Sequence, residues 1–212
     1  RGIFMGGQNP SASNVMDYIT LASTSNATDF GDLTVGRGQM HGGASSSTRG
    51  VFGPGLGSGN SYLDTLDYIT IASTGNATDF GNAVDSTYGT SGISNATKGI
   101  FSGGQNTGGR INVIQQITIA TTGDATDFGD LLSVTSYNAS TCSGNPAVQN
   151  ETGFAPAAMG LIAGGNEPNN TTIAYINIAS TGNEIQFGDL TSIRYRLSGV
   201  ASATRCVWWG GY

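Results

Sequence analysis

The segment Tyr68–Gly81, YITIASTGNATDFG, is written four times along the chain, and it constrains the fold more than any other feature. The other copies are Tyr18–Gly31 (YITLASTSNATDFG), Gln116–Gly129 (QITIATTGDATDFG) and Tyr175–Gly188 (YINIASTGNEIQFG). The closing Phe falls at 30, 80, 128 and 187, so successive copies are offset by 50, 48 and 59 residues. A period near 50 means that one supersecondary unit is stacked repeatedly, each burying a face on its neighbour.

A shorter motif keeps the same beat. It reads Arg1–Gly7 (RGIFMGG), Arg49–Gly55 (RGVFGPG), Lys98–Gly104 (KGIFSGG), Met159–Gly165 (MGLIAGG) and Arg205–Gly211 (RCVWWGG). A short apolar run ended by glycines is the pattern of a buried strand entering a tight turn. Loops rich in Gly, Asn and Ser follow, at Gln8–Ser13, Leu56–Asp64, Gln105–Arg110 and Asn166–Asn170. The second strand comes next, Val15–Ala22 in the first unit, with bulky or β-branched residues on both faces. Ser73–Asn76 reads as a turn, and the strand beyond it is anchored by the repeat Phe. A Ser/Thr/Gly-rich stretch such as Gly36–Thr48 supplies a fourth, weaker strand.

Four strands per unit predict an all-β propeller, one blade per unit over 1–48, 49–97, 98–158 and 159–204, with a partial fifth over 205–212. A solenoid is the competing repeat architecture, but its coils run to about 20–47 residues and flat β-helices want stricter, shorter ones. Phe30, Phe80, Phe128 and Phe187 are expected at equivalent buried positions, as are Ile19, Ile69, Ile117 and Ile176. Trp208 aligns with Phe4 and is expected inside, with Trp209 facing the other way. The partial fifth unit predicts either a longer propeller or a last strand that closes the ring on the N-terminal strands. Gly160 stands 32 positions after Phe128, where the other units need 20, 19 and 19, so an extra loop is expected near Thr141–Pro156. Such a loop is either functional or tolerated drift.

Composition narrows the function. Charged residues make up only 10% of the chain, Gly numbers 34 and the formal net charge is −6. With no basic stripe to neutralise phosphates, nucleic acid and anionic lipid are excluded as expected partners. No run of 18 apolar residues occurs, so no membrane insertion is expected. Regular apolar strands argue against disorder. The chain opens on Arg1 rather than Met, so the want of a leader says nothing about compartment. Cys142 and Cys206 are too few for a disulfide scaffold. Cys206 stands where other copies have Gly2, Gly50, Gly99 and Gly160, and it reads as a buried free thiol.

With strand, paired Gly, loop, Tyr, turn and aromatic in that order, the unit resembles a kelch-type propeller repeat. Gly6-Gly7, Gly103-Gly104 and Gly164-Gly165 match the glycine pairs, Tyr18, Tyr68 and Tyr175 the tyrosine, and Arg37 and Arg194 the following arginine. The four Phe residues stand in place of the kelch Trp, Gln116 replaces one Tyr, and Pro54-Gly55 breaks one Gly pair. The wording ASTGNATDFGDLT followed by RG[IV]FxGG is similar to repeats in virion and tail-appendage proteins of tailed phages of aquatic bacteria. That resemblance implies a structural or host-contacting role in a virion.

No catalytic set stands out. Galactose oxidase, a kelch-like propeller, builds a copper site from tyrosines and histidines, but His41 is the single histidine here and cannot assemble one. It has no acidic neighbour in sequence with which to form a triad. Asp124, Asp127 and Asp130 are spaced for calcium or for turn capping through Asx bonds, and the Asn/Asp-x-Thr-Asp pattern suits capping. Sequons at Asn26, Asn76, Asn95, Asn138, Asn150, Asn169 and Asn170 could be glycosylated in a eukaryotic secreted protein, but most are expected by chance in so Asn- and Thr-rich a chain. The loops after each first strand carry Gln8, Asn9, Asn60, Tyr62, Gln105, Asn106, Arg110, Asn166 and Glu167. Amides with an occasional aromatic suit a polar ligand such as a sugar, and they equally suit solvated turns.

The expectation is a non-enzymatic virion or tail module with no cofactor or metal, multimeric among other virion or surface proteins and adhering to host-surface glycans. The alternative is a secreted or cell-surface lectin of no viral origin.

Overall fold

The computed structural model describes residues 1–142, 159–167, 170–202 and 204–212. Among them the chain is all-β, built from small antiparallel sheets, and its one helical turn is a 3-10 turn at Ser58–Asn60. The first sheet is β1 (Gly2–Met5), β2 (Val15–Ile19) and β3 (Thr28–Asp32), in that order. The second is β4 (Gly43–Ser45), β5 (Arg49–Phe52), β6 (Leu63–Thr70) and β7 (Thr78–Thr87). In the third, β8 (Ser91–Ser94), β9 (Lys98–Ser102), β11 (Gly109–Thr118) and β12 (Thr126–Thr135) follow the same order, and β10 (Gln105–Asn106) folds back on the start of β11. The fourth is β13 (Ala139–Cys142), β14 (Met159–Ala163), β15 (Thr172–Asn177) and β16 (Ile185–Asp189). The fifth has two strands, β17 (Leu197–Ala201) and β18 (Cys206–Gly210).

The sheets are out of phase with the sequence units. The weak fourth strand of one unit pairs with the first strand of the next, as in Gly43↔Phe52, Ala44↔Val51 and Ser45↔Gly50. Thr141 and Cys142 belong to β13 rather than to a loop, and the rest of the expected insertion lies outside the described residues. The last strand pairs with β17, and β1 pairs with β2, so the ring-closing pairing expected between them is not made.

Consecutive sheets pack face on face, and each pair shares one core cluster. Phe30 meets Phe52 and Ile69, Phe80 meets Phe101 and Ile117, and Phe128 meets Ile162 and Ile176. The first three repeat Phe are 2%, 2% and 3% exposed, as expected, but Phe187 is 63% exposed. The reason is the fifth sheet: it supplies no second strand to carry the Ile that covers the other three. Ile19 is only half-buried, and among the described residues no sheet packs over it as the first sheet packs over Ile69. Trp208 is half-buried against the cluster of Ala139, Ala163, Leu190 and Leu197 while Trp209 is 47% exposed, consistent with the alternation of a strand. Cys206 is free and half-buried rather than buried, and that burial raises its pKa.

The repeated motifs are the stitching between sheets. Arg1 and Arg49 lie over Tyr18 and Tyr68 of their own sheets, at 4.7 and 4.3 Å from the ring centroids. Each guanidinium then donates to a carbonyl of the next sheet, Ile71 O at 2.9 Å and Ile119 O at 3.0 Å. The glycine after each buried Phe is a close approach: a Cβ on Gly31, Gly81 or Gly129 would lie 2.5 Å from the backbone of the following turn.

Past that glycine, a backbone N–H on the outer strand is capped by a side chain of the next sheet. Asp67 caps Thr34 (3.1 Å), Gln115 caps Val84 (2.7 Å) and Glu184 caps Leu132 (2.9 Å). In the fourth sheet Ala174 fills the place of Asp67 and Gln115, and the cap comes instead from Glu184 on the turn. Burial pushes the Glu184 carboxyl up to about 7, the Leu132 N–H acting in the opposite direction. A folded value above the unfolded one means the fold prefers the protonated acid. Stability is therefore full below about pH 4.5 and is lost as pH rises through about 7. Glu184→Gln keeps an acceptor and removes the charge, as Gln115 does one junction earlier. It is expected to stabilise the protein at pH 9 by on the order of 3 kcal/mol and to change little at pH 4. Urea unfolding of both proteins at the two pH values checks this.

Candidate polar site at the inner loop end

The strands β4, β8, β13 and β17, each at one edge of its sheet, lie side by side. A residue one to four positions before each is held left-handed: Gln39 (φ 53°), Gly89 (φ 69°), Tyr137 (φ 57°) and Arg196 (φ 57°). They form a ladder from sheet to sheet, with Gly89 N–H donating to Gln39 O (3.1 Å), Tyr137 N–H to Gly89 O (2.8 Å) and Arg196 N–H to Tyr137 O (2.9 Å). Only Gly adopts this conformation without steric cost, which for a side-chain-bearing residue is about 1–3 kcal/mol. Three of the four positions nevertheless carry side chains, and those three meet. The Tyr137 hydroxyl donates to Gln39 Oε1, and the Arg196 guanidinium lies 4.6 Å from the Tyr137 ring centroid.

Beside them opens a polar cavity of about 240 Å³ lined by His41, Ser91, Tyr137, Asn138, Arg196 and Ser198, among others. Asn138 is 3% exposed and donates to Ser91 Oγ at 3.0 Å, while its Oδ1 has no partner among the described residues. His41 stacks edge-on to Tyr137 at 5.2 Å. Desolvation first, and the Arg196 cation second, lower its pKa, so it is a neutral imidazole at pH 7. An aromatic run leads outward from the cavity, Tyr137 to Tyr88 at 6.0 Å and Tyr88 to Tyr62 at 5.2 Å. Burial and the neighbouring phenols raise the Tyr88 pKa, so it remains a hydroxyl donor.

The loops expected to bind ligand lie at this same end, since Gly38 bridges Leu56 and Tyr88 bridges Gln105. Several of their residues engage one another. Arg110 pairs with Glu167 at 3.1 Å across the third and fourth sheets, and Asn106 donates to Asp85 at 2.8 Å. Tyr62 packs on Tyr88, Gln105 is tied by its backbone to Tyr88, and Asn166 N–H donates to Ser136 O at 2.7 Å. Gln8, Asn9 and Asn60 stay exposed on their own loops.

Reading the sequence by motif passed over Gln39, Tyr88, Tyr137, Asn138 and Arg196. A signal for three of them was present: Gln39, Gly89, Tyr137 and Arg196 each stand nine residues after a repeat Phe. The position is constant while its residue type is not, so residue matching cannot see it. Among the described residues no three His, Cys, Asp or Glu side chains converge as metal ligands. Of the acidic spacing, Asp124 Oδ1 is taken up by the Asn82 N–H at 2.9 Å, a turn-capping role across sheets. Among the described residues no helix is long and apolar enough to cross a membrane. Neither any protein-family model nor any curated protein matches the chain.

Proposed function

We propose that the sheets are consecutive blades of a kelch-like β-propeller, and that the protein is a non-enzymatic virion or tail module that adheres to host-surface glycans. The observation that carries this reading is the left-handed trio Gln39, Tyr137 and Arg196 beside the polar cavity. Strain of this kind is retained where side chains must be aimed. A sugar ring needs an aromatic face for its C–H surface and amides or guanidinium for its hydroxyls, and Tyr62, Tyr88, Asn138 and Arg196 supply both. Without a basic cluster the attraction is short-ranged and only weakly salt-dependent. Copies displayed together on one particle raise a weak single-site affinity by avidity.

Arg196→Gly removes a side chain at a position where Gly is at ease, and Tyr62→Ala removes the outermost ring. Displayed multivalently on whole host cells or a glycan array, each variant is expected to lose at least about tenfold in apparent affinity. A folded wild type that binds no glycan, or variants that bind as well as it does, would overturn the adhesive role. A lectin of no viral origin would bind through the same residues, and mass spectra of purified particles separate the two.

A further inference from the structure

The three junctions between the first four sheets are built alike and can be compared place by place. The turn of one sheet sits on the Phe-Gly pair of the sheet before it: Gly75 N–H donates to Phe30 O (2.7 Å), Gly123 to Phe80 O (2.8 Å) and Gly182 to Phe128 O (2.9 Å). Seven residues after each Phe stands a buried side chain, Arg37, Thr87 or Thr135. Each meets the same glycine of the next sheet: a Cβ on Gly55, Gly104 or Gly165 would lie 3.5, 3.5 and 3.2 Å from theirs. The chemistry at this shared place differs. At the first junction Arg37 is paired with Asp67, and at the second Thr87 and Gln115 are both neutral. At the third, Thr135 faces a sheet with Ala174 in the place of Asp67, and the acid is Glu184 on the turn before β16.

Glu184 is 8% exposed, and its Oε2 accepts the Leu132 N–H. The ion pairs among the described residues are Arg37–Asp67 and Arg110–Glu167. All 8 Lys and Arg of the chain lie among those residues, so none neutralises Glu184. Where Thr135 stands in place of an arginine there is a cavity of about 10 Å³, room for one water-sized particle. Glu184, Thr135, Asn170 and Thr172 line it, with Leu131 and Ile162. Thr135 is 3% exposed, and its hydroxyl has no partner among the described residues. Asn170 is fixed from both ends, its amide donating to Gly164 O (3.1 Å) and its Oδ1 accepting the Thr172 N–H (3.0 Å). A buried carboxylate is ordinarily paired or bound to a metal.

We propose that this cavity binds one small monovalent cation of the sodium class, held between the Glu184 carboxylate and the Thr135 hydroxyl in the place that the Arg37 guanidinium takes at the first junction. One carboxylate balances a single positive charge. The other oxygens lining the cavity are neutral hydroxyls and an amide, hard donors that suit a hard cation. A divalent ion would need more carboxylates, and among the described residues no three His, Cys, Asp or Glu side chains converge. The size of the cavity excludes a hydrated ion or an organic ammonium. The cation joins the third sheet to the fourth as the buried ion pair joins the first to the second. It is walled by two inner sheets and is independent of whether the loop end binds glycans.

The test is urea unfolding of the full chain at pH 9, where Glu184 is ionised, with tetramethylammonium chloride exchanged for sodium chloride at constant ionic strength. The unfolding constant of the wild type is expected to fall at least about threefold as sodium replaces the organic cation. Once the site fills it should fall about tenfold per tenfold of sodium, the slope for one bound ion. Glu184→Gln keeps the cap and loses the charge, so it should not respond to sodium, and its advantage over the wild type should shrink as sodium rises. Thr135→Val removes a hydroxyl with no partner to lose, so the fold should stand while the sodium response weakens. Arg196→Gly should keep the full response, which separates this site from the glycan reading. A wild type indifferent to the exchange, or a Glu184→Gln variant that responds as strongly as the wild type, overturns the proposal. So does a full response to about 1 mM calcium in the absence of sodium, which would assign a divalent ion.

Discussion

Asp67→Ala should cost about 3–5 kcal/mol of stability, the range for breaking a buried ion pair by removing one partner. Asp67 on β6 and Arg37, from the connection after β3, pair across the first two sheets with both side chains 0% exposed. Asp67 also accepts from the Thr34 hydroxyl (2.6 Å) and N–H (3.1 Å), while Arg37 Nη1 donates to Thr65 O (2.6 Å). Burial already lowers the Arg37 pKa and Asp67 opposes that shift. Without the carboxylate an uncompensated cation stays inside, and its Nε has no other partner to turn to. The double variant Arg37→Met/Asp67→Leu should recover most of the loss, because apolar packing of similar volume replaces a buried pair at little cost. Urea unfolding of the single and double variants decides it. A single variant within about 1 kcal/mol of the wild type would mean the pair does not hold the two sheets together.

Phe128→Ala should destabilise by about 3–5 kcal/mol, and Phe187→Ala, at the same place in the repeat, by less than about 0.5 kcal/mol in the monomer. The first ring is 3% exposed inside the cluster shared by the third and fourth sheets; the second is 63% exposed. Deleting a buried ring loses its transfer energy and leaves a cavity, and an exposed ring has neither to lose. Chemical denaturation at low protein concentration gives both numbers. Equal losses would mean that Phe187 is covered in solution.

The all-β class, the repeat and the strands could be read from the sequence because they rest on local chemistry. Ile and Val alternating with Thr and Tyr favour strands over a few residues. The pairs Gly6-Gly7, Gly103-Gly104 and Gly164-Gly165 all take positive φ, as a tight turn after a strand requires. The stapling role of STGNATDFG was half legible: its turn was recognised, but not that the turn serves the sheet before its own.

What the sequence could not convey was relational. Gly43–Ser45 has the same weak strand pattern whether it pairs with the strand before it or with β5, and only the tertiary structure settles on β5. Phe187 reads like Phe30, Phe80 and Phe128, and its exposure depends on the strand that the fifth sheet lacks. Gln39, Tyr137 and Arg196 share no chemistry, so nothing local marks them as one site. They converge because four edge strands lie side by side and hold the same left-handed turn at the same distance from each Phe. Sequence thus determined which segments become strands and turns, through propensities that act over a few residues. Only the tertiary structure decided which faces are covered and which side chains meet, because burial depends on a neighbour that sequence periodicity does not specify.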